Sequence, residues 1–231
     1  MATHLDLQEQ EQVDQLKAFW QQYGNLITWT LTLALTGFAA WNGWNWWQRE
    51  QAVKASAMFD ELERAAQAGD AERSARVLAD LKERFPRTAY AQQGALLAAR
   101  VQAEKGQADA ALATLAWASD NAGEDEIRSI ARLRAAGLLL EKKQYDAALA
   151  QLDAAAQGKN AKEFEALVAD RRGDVLLAQG KHNDARKAFE AAYKAMDAKL
   201  EYRQLIDAKL TALGAAPAAV ESATAASGAA K

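Results

Sequence analysis

The sequence predicts an all-α protein in which a single N-terminal transmembrane helix is followed by a solenoid of four helix pairs and a capping helix. The first reason is composition: the 231 residues include 13 Gly and 2 Pro, the residue types that weaken or break helices. The second is an uncharged, apolar stretch between Lys17 and Arg49. The third is a pattern of small and bulky residues that repeats along the remainder of the chain.

Residues 1–25 form a short N-terminal segment in which acidic residues outnumber basic ones, whereas the remainder of the chain is balanced. A balanced domain without a basic stripe has no electrostatic footprint for nucleic acid. The apolar side chains of the segment share one stripe at helical spacing. This predicts either an amphipathic helix lying against the membrane or a solvated tail. The stripe consists of Leu5, Val13, Leu16, Trp20 and Tyr23.

Residues 26–47 are predicted to be the transmembrane helix. The uncharged stretch is long enough to cross a hydrocarbon core of about 30 Å. Aromatic residues lie at both of its ends, as interfacial anchors do: Trp20 and Tyr23 at one end, and Trp41, Trp44, Trp46 and Trp47 at the other. A cleaved signal peptide would need a basic leader and a small-residue cleavage site, and neither is present. Ala39 and Gly43 offer a small face on which another transmembrane helix could pack.

A register of 37 residues recurs after the apolar stretch, at Ser74, Ala111, Ala148 and Ala185. A bulky residue lies four positions beyond each of these small residues, and a further column lies three positions beyond the bulky one. Such uninterrupted self-similarity is the signature of a repeat architecture. The bulky column is Leu78, Leu115, Leu152 and Phe189, and the further column is Leu81, Ala118, Ala155 and Ala192.

These columns resemble the tetratricopeptide repeat, in which helices A and B cross at small residues and a bulky side chain packs beside the crossing. The fourth copy shows the pattern most clearly, with Gly173 on helix A, Gly180 at the turn and Phe189 on helix B. Helices approach closely only where side chains are small. The turn requires a backbone conformation that glycine tolerates best.

Two kinds of departure from the repeat lead to further expectations. Ala99 and Ala136 replace the helix-A glycine and Lys143 replaces one turn glycine, so the second and third pairs are expected to be looser. The period is longer than the usual one of about 34 residues, which predicts longer connections between repeats. The repeat domain spans 48–213, with helix pairs at 54–84, 90–120, 127–157 and 164–195, a capping helix at 197–213, and a disordered Ala-rich tail at 214–231.

No catalytic or metal-binding motif stands out against the repeats, so the protein is predicted not to be an enzyme and to need no cofactor. The absence of cysteine excludes thiolate chemistry and Cys-based zinc sites. A solenoid of helix pairs offers instead a concave groove, lined mainly by A helices, that binds extended or helical peptide segments. The groove-facing candidates are Phe59, Leu96, Arg100, Leu133, Leu140, Asp170, Asp174 and Leu177.

The order of these parts resembles the YfgM family, the ancillary subunits of the bacterial SecYEG translocon. The resemblance covers about residues 10–213. Its most specific stretches are DQLKAFWQQYGN before the apolar stretch, GWNWWQREQAVKAS at its exit and VADRRGDVLLAQGKHNDARKAFEAA in the last repeat.

The resemblance implies a bacterial inner-membrane protein with a cytoplasmic N-terminus and a periplasmic repeat domain. Such a protein associates with the translocon and with a PpiD-like membrane-anchored chaperone, and assists secreted or membrane proteins as they emerge. The basic residues beside the apolar stretch favour the opposite orientation slightly, and the orientation of the family is preferred. The residues alone leave two other functions open: a membrane tether that sequesters a cytoplasmic regulator, and a scaffold for envelope assembly or cell division.

Overall fold

A computed structural model describes residues 7–215 of the chain, with side chains from residue 14 onward. Within that range the backbone forms nine α-helices and no strand, which confirms the all-α class. The chain divides into two compact units, residues 1–51 and residues 52–231. The helices are α1 (Leu7–Gln67), α2 (Ala71–Arg84), α3 (Ala89–Glu104), α4 (Ala108–Asn121), α5 (Asp125–Glu141), α6 (Tyr145–Ala156), α7 (Ala161–Ala178), α8 (His182–Ala195) and α9 (Tyr202–Ala212).

The first unit consists of the N-terminal part of α1, and residues 1–6 of the predicted N-terminal segment lie outside the described residues. Among the helices of residues 7–215, none combines the length and the apolar character needed to cross a membrane, so the span predicted over 26–47 is not confirmed. The physical reason is the threonine and asparagine content of this stretch, which lowers its mean hydropathy. Ala39 and Gly43, the predicted small face, are both exposed.

The second unit contains the predicted helix pairs, and the turn inside each pair falls in the 37-residue register. The turn residues adopt the left-handed conformation, with φ of 64° at Gly69, 75° at Gly106, 58° at Lys143 and 77° at Gly180. Lys143 therefore takes the strained conformation that glycine takes in the other three copies, as its place in the repeat predicts. In the first pair Asp70 then starts α2 by accepting a hydrogen bond of 2.9 Å from the backbone N–H of Arg73.

The three repeat columns form the interior of the second unit. The small column and the further column are fully buried in every copy, and each member of the bulky column is at most 3% exposed. Burial of these positions supplies the hydrophobic driving force that the individual helix pairs lack when isolated. The register read from the sequence is thereby confirmed residue by residue.

The bulky residue on each B helix faces a residue of complementary size on its A helix. In the fourth pair a Cβ added to Gly173 would lie 2.4 Å from a ring carbon of Phe189. In the second and third pairs the same two positions hold alanine and leucine, at Ala99 with Leu115 and at Ala136 with Leu152. These alanines are at most 2% exposed, yet α7 and α8 contact each other more extensively than the helices of the second or third pair do, which agrees with the expectation of looser packing in those two pairs. A larger helix-A residue is matched by a smaller B-helix side chain.

The connections between helix pairs are short. Only residues 85–88, 122–124 and 157–160 separate the B helix of one pair from the A helix of the next. The expectation of longer connections is therefore wrong, because the additional length lies in the A helices, which have 16, 17 and 18 residues in α3, α5 and α7. The capping helix starts at Tyr202 rather than near 197, and the predicted tail lies outside the described residues from 216 onward.

Candidate functional site

Three A helices stand side by side in the second unit, since α3 contacts α5 and α5 contacts α7. Residues on this row of helices line an open cavity of about 570 Å³. The cavity lies where the solenoid was predicted to have its groove, and its volume falls in the range of sites that hold small ligands or single anchoring side chains. We refer to it below as the central cavity.

The floor of the central cavity is apolar. Its lining includes Ile130, Leu133, Leu138, Phe164 and Leu167, and Leu167 is 38% exposed. Gly137 lies among them, and a Cβ added there would meet no atom within 4 Å. An apolar floor with open space above it favours burial of a partner's apolar side chain.

Charged side chains stand at the rim on α3 and α5. The Nε of Arg100 donates a hydrogen bond of 2.8 Å to Glu104. Arg134 donates a hydrogen bond of 3.0 Å to the backbone carbonyl oxygen of Leu96. Among the described residues, it forms no ion pair with a carboxylate. Loss of solvent around its guanidinium and, second to it, the like charge of Arg100 lower the pKa of Arg134. The rim therefore holds an arginine charge that no carboxylate compensates.

The end of the cavity nearest α9 is occupied by a polar network. Asp170 is 2% exposed and accepts hydrogen bonds from the Tyr202 hydroxyl at 2.7 Å and from Lys209 Nζ at 2.8 Å. The same Nζ donates to Asp174 at 2.8 Å. Desolvation and, after it, the hydrogen bond to Asp170 raise the pKa of Tyr202 to about 12. Arg171 also pairs with Asp174, at 3.6 Å. Because the two carboxylates face two cations, this network joins α9 to α7 rather than presenting free acid to a ligand.

The eight predicted groove residues separate into two groups. Arg100, Leu133 and Asp170 line the central cavity. The other five lie elsewhere: Leu96 is buried in the first core cluster, Phe59 packs against Tyr90 in a tilted arrangement with ring centroids 5.7 Å apart, Leu140 packs against the second core cluster, Asp174 binds Lys209, and Leu177 is 36% exposed.

Sequence reasoning missed Arg134, Gly137, Glu141 and Tyr202, which also line the cavity. A signal for the first was present, because Arg134 and Arg171 share the 37-residue register and both line the cavity. Gly137 lies in the column of Arg100 and Asp174, where a glycine adds no recognisable chemistry. No local pattern indicates the approach of Tyr202, because it comes from a helix outside the repeat.

Metal chemistry has no support in the part of the chain that the structure describes. Between residues 7 and 215 no group of three His, Asp or Glu side chains is placed to hold a metal ion. Two acidic residues at the cavity, Glu104 and Asp170, are bound to Arg100 and Lys209 instead. What the arrangement can do chemically is bind, through an apolar floor and a charged rim.

Two known proteins resemble this chain in sequence. The chain is 30% identical over 128 residues to the ancillary SecYEG translocon subunit of Haemophilus influenzae, covering 55% of this chain and 62% of that protein. It is 31% identical over 136 residues to the ancillary SecYEG translocon subunit of Neisseria gonorrhoeae, covering 58% and 64%. The chain thus matches less than two thirds of the length of these relatives, which confirm the resemblance to the YfgM family.

The fold also has a counterpart of known structure. MamA from Desulfovibrio magneticus RS-1, from its residue 41 to the end, superposes with a TM-score of 0.51 at 16% identity, covering 70% of this chain and 89% of that one. At this identity the likeness concerns the fold alone. Residues 17–215 match the tetratricopeptide repeat-like domain family, and the chain belongs to this family.

Proposed function

We propose that this protein is an ancillary subunit of the SecYEG translocon that binds segments of secreted or membrane proteins as they emerge. The observation that carries the proposal is the central cavity, with its apolar floor and charged rim on three adjacent A helices. The names of the two relatives support the association with the translocon. A binding role without catalysis agrees with the cavity and with these names.

The proposal includes a membrane anchor at 26–47, with the N-terminus in the cytoplasm and the repeat domain in the periplasm of a bacterial inner membrane. The exposed side chains of this stretch are mostly large and apolar, among them Trp29, Leu33 and Phe38. Its threonine hydroxyls are hydrogen-bonded within the helix. The hydroxyls of Thr28, Thr30, Thr32 and Thr36 donate to the carbonyl oxygens four residues earlier, at 2.7–2.8 Å. Threonines bonded in this way are tolerated in an apolar environment.

The proposed partners are the translocon, a PpiD-like membrane-anchored chaperone and unfolded protein clients. Tethering at the membrane raises the effective concentration of the cavity near emerging chains, so that weak contacts suffice. Ala39 and Gly43, which are exposed, are the proposed contact with another transmembrane helix. Replacing both with leucine is expected to reduce recovery of the translocon with this protein, and unchanged recovery removes this face from the proposal.

Site-specific photo-cross-linking tests the proposal. A photoreactive residue at Leu133, in the cavity floor, is expected to capture translocon subunits, chaperone or nascent secreted chains in intact cells. The matched control is Glu190, an exposed residue of α8 outside the cavity, which is expected to capture little. Equal capture at both positions, or none at Leu133, contradicts binding in the cavity.

Protease treatment of spheroplasts tests the orientation in the same cells. Digestion of the repeat domain supports the periplasmic location. Protection of the domain would place it in the cytoplasm and favour a tether that sequesters a cytoplasmic regulator. Carbonate extraction distinguishes an integral anchor, which stays in the membrane fraction, from a peripheral association, which does not.

A further inference from the structure

We propose that the central cavity selects peptide segments in which an apolar side chain is flanked by a carboxylate, the apolar group entering above Gly137 and the carboxylate pairing with Arg134. This inference rests on the proposed function, because it names the class of segment that the same groove binds. Its support comes from two independent features of the cavity, the shape of the floor and the distribution of charge at the rim.

The floor is shaped for one apolar side chain. At Gly137 an added Cβ would meet nothing within 4 Å, whereas at Gly173, on the next A helix, it would collide with a buried ring. The glycine of α5 is therefore not required by packing inside the protein. It leaves open space in a cavity whose lining includes Leu133 and Phe164, and an incoming side chain that fills this space removes apolar surface from water on both partners.

The charge at the rim favours a carboxylate on one side of that apolar group. Arg100 is paired with Glu104 at 2.8 Å and Arg171 with Asp174 at 3.6 Å. Arg134 instead donates to a backbone carbonyl, so its charge is available to a ligand. A guanidinium binds a carboxylate through two parallel hydrogen bonds, which an ammonium cannot do.

The opposite side of the cavity disfavours a second acid. Glu141 also lines the cavity and, seven residues from Arg134 on the same helix, lies about 10 Å further along its axis. On α7, Asp170 lines the cavity but is 2% exposed and paired with Lys209, and Asp174 is paired with Lys209 and Arg171, so neither presents a free charge to a segment. The preferred segment therefore carries its acidic residue on the Arg134 side only, which gives the bound chain a direction.

The test measures binding of a set of fluorescent nine-residue peptides to the full-length protein in detergent by fluorescence anisotropy. All peptides share a central Phe, and the residue beside it is Glu, Gln or Lys. The peptide with Glu is expected to bind about twofold to fivefold more tightly than the peptide with Lys, as for an ion pair that is partly exposed. This preference is expected to shrink in high salt.

Two variants and one control locate the effect. Arg134→Gln is expected to abolish the preference for Glu while leaving binding of the Gln peptide unchanged. Gly137→Phe places a large side chain in the cavity and is expected to weaken the binding of all peptides about tenfold, with helicity retained because the added Cβ meets no atom within 4 Å. The control is Arg186→Gln on α8, which removes an exposed arginine outside the cavity and is expected to change neither result.

The outcomes separate this inference from the proposed function. Binding without charge preference, unaffected by Arg134→Gln, overturns the inference and leaves segment binding in place. Failure of the wild-type protein to bind any peptide overturns both. If Gly137→Phe loses helicity, the inference is tested by the preference for the Glu peptide and by the loss of that preference in Arg134→Gln.

Discussion

Replacing Gly173 with alanine tests whether size complementarity between the two helices of a pair stabilises the solenoid. The added Cβ would lie 2.4, 2.6 and 2.8 Å from three ring carbons of Phe189. That ring is fully buried and cannot move aside without displacing its neighbours. We therefore expect Gly173→Ala to force α7 and α8 apart.

The magnitude follows from two opposing effects. Overpacking of a buried site costs about 3 kcal/mol at the upper end of its usual range. Replacing a glycine in a helix interior returns about 1 kcal/mol of helix propensity. The free energy of unfolding should therefore fall by about 2 kcal/mol, which lowers Tm by about 4–8 °C in a domain of this size. Gly137→Ala is the matched control, because its Cβ meets nothing within 4 Å, and it should raise Tm by about 2–4 °C.

The assay is thermal unfolding of the full-length protein followed by circular dichroism, with hydrogen exchange to localise the effect to α7 and α8. A double variant, Gly173→Ala with Phe189→Leu, reproduces the residues that Ala136 and Leu152 supply in the third pair. We expect it to be more stable than the sum of the single variants by about 1–3 kcal/mol. Additive effects, or a Tm for Gly173→Ala equal to that of Gly137→Ala, would refute the packing argument.

Three further predictions concern the turns, the α9 network and a connection between repeats. Lys143→Gly should raise the free energy of unfolding by about 1 kcal/mol, because φ is 58° there, whereas the control Lys142→Gly, with φ of −76°, should not; equal effects in denaturant titrations would contradict this. Tyr202 has a pKa raised from 10.0 to about 12, so its contribution to stability is complete below pH 10 and disappears as the pH rises through about 12. Tyr202→Phe should lack this component, and parallel pH profiles of the two proteins would disprove it. Gln92 is 3% exposed and bonds both the Asn121 carbonyl at 3.1 Å and the Gly123 N–H at 3.2 Å. Gln92→Ala should therefore cost about 1–3 kcal/mol and speed hydrogen exchange at 121–124, while unchanged exchange would argue against this role.

The interior of the repeat domain could be predicted from the sequence because it depends on one period. The 37-residue register located the buried columns and even the left-handed turn at Lys143, where no glycine marks it. Repetition carries this information, since a position without its own signal inherits one from the equivalent positions in other copies.

The cavity could be predicted only in part. It depends on a position without a side chain and on carboxylates whose charge is paired with a distant lysine. Asp170 and Asp174 look like free acids in the sequence, yet Lys209 reaches both from a helix 35 or more residues away. Gly137 looks like a weak point in a helix, and its role as open floor appears only when its surroundings are known. Neither feature recurs in the other repeats, so the 37-residue period cannot predict them.

The matching of Gly173 to Phe189, and of Ala136 to Leu152, has a consequence for how such arrays can be rearranged. A recombinant that combined α7 with a Leu-bearing B helix would leave a void beside the glycine, and one that combined α5 with the Phe-bearing α8 would collide. Duplication or shuffling at the turn between A and B helices is thus expected to destabilise the recombined pair. Breakpoints in the short connections between pairs keep each match intact, so the heritable module of this solenoid is the helix pair.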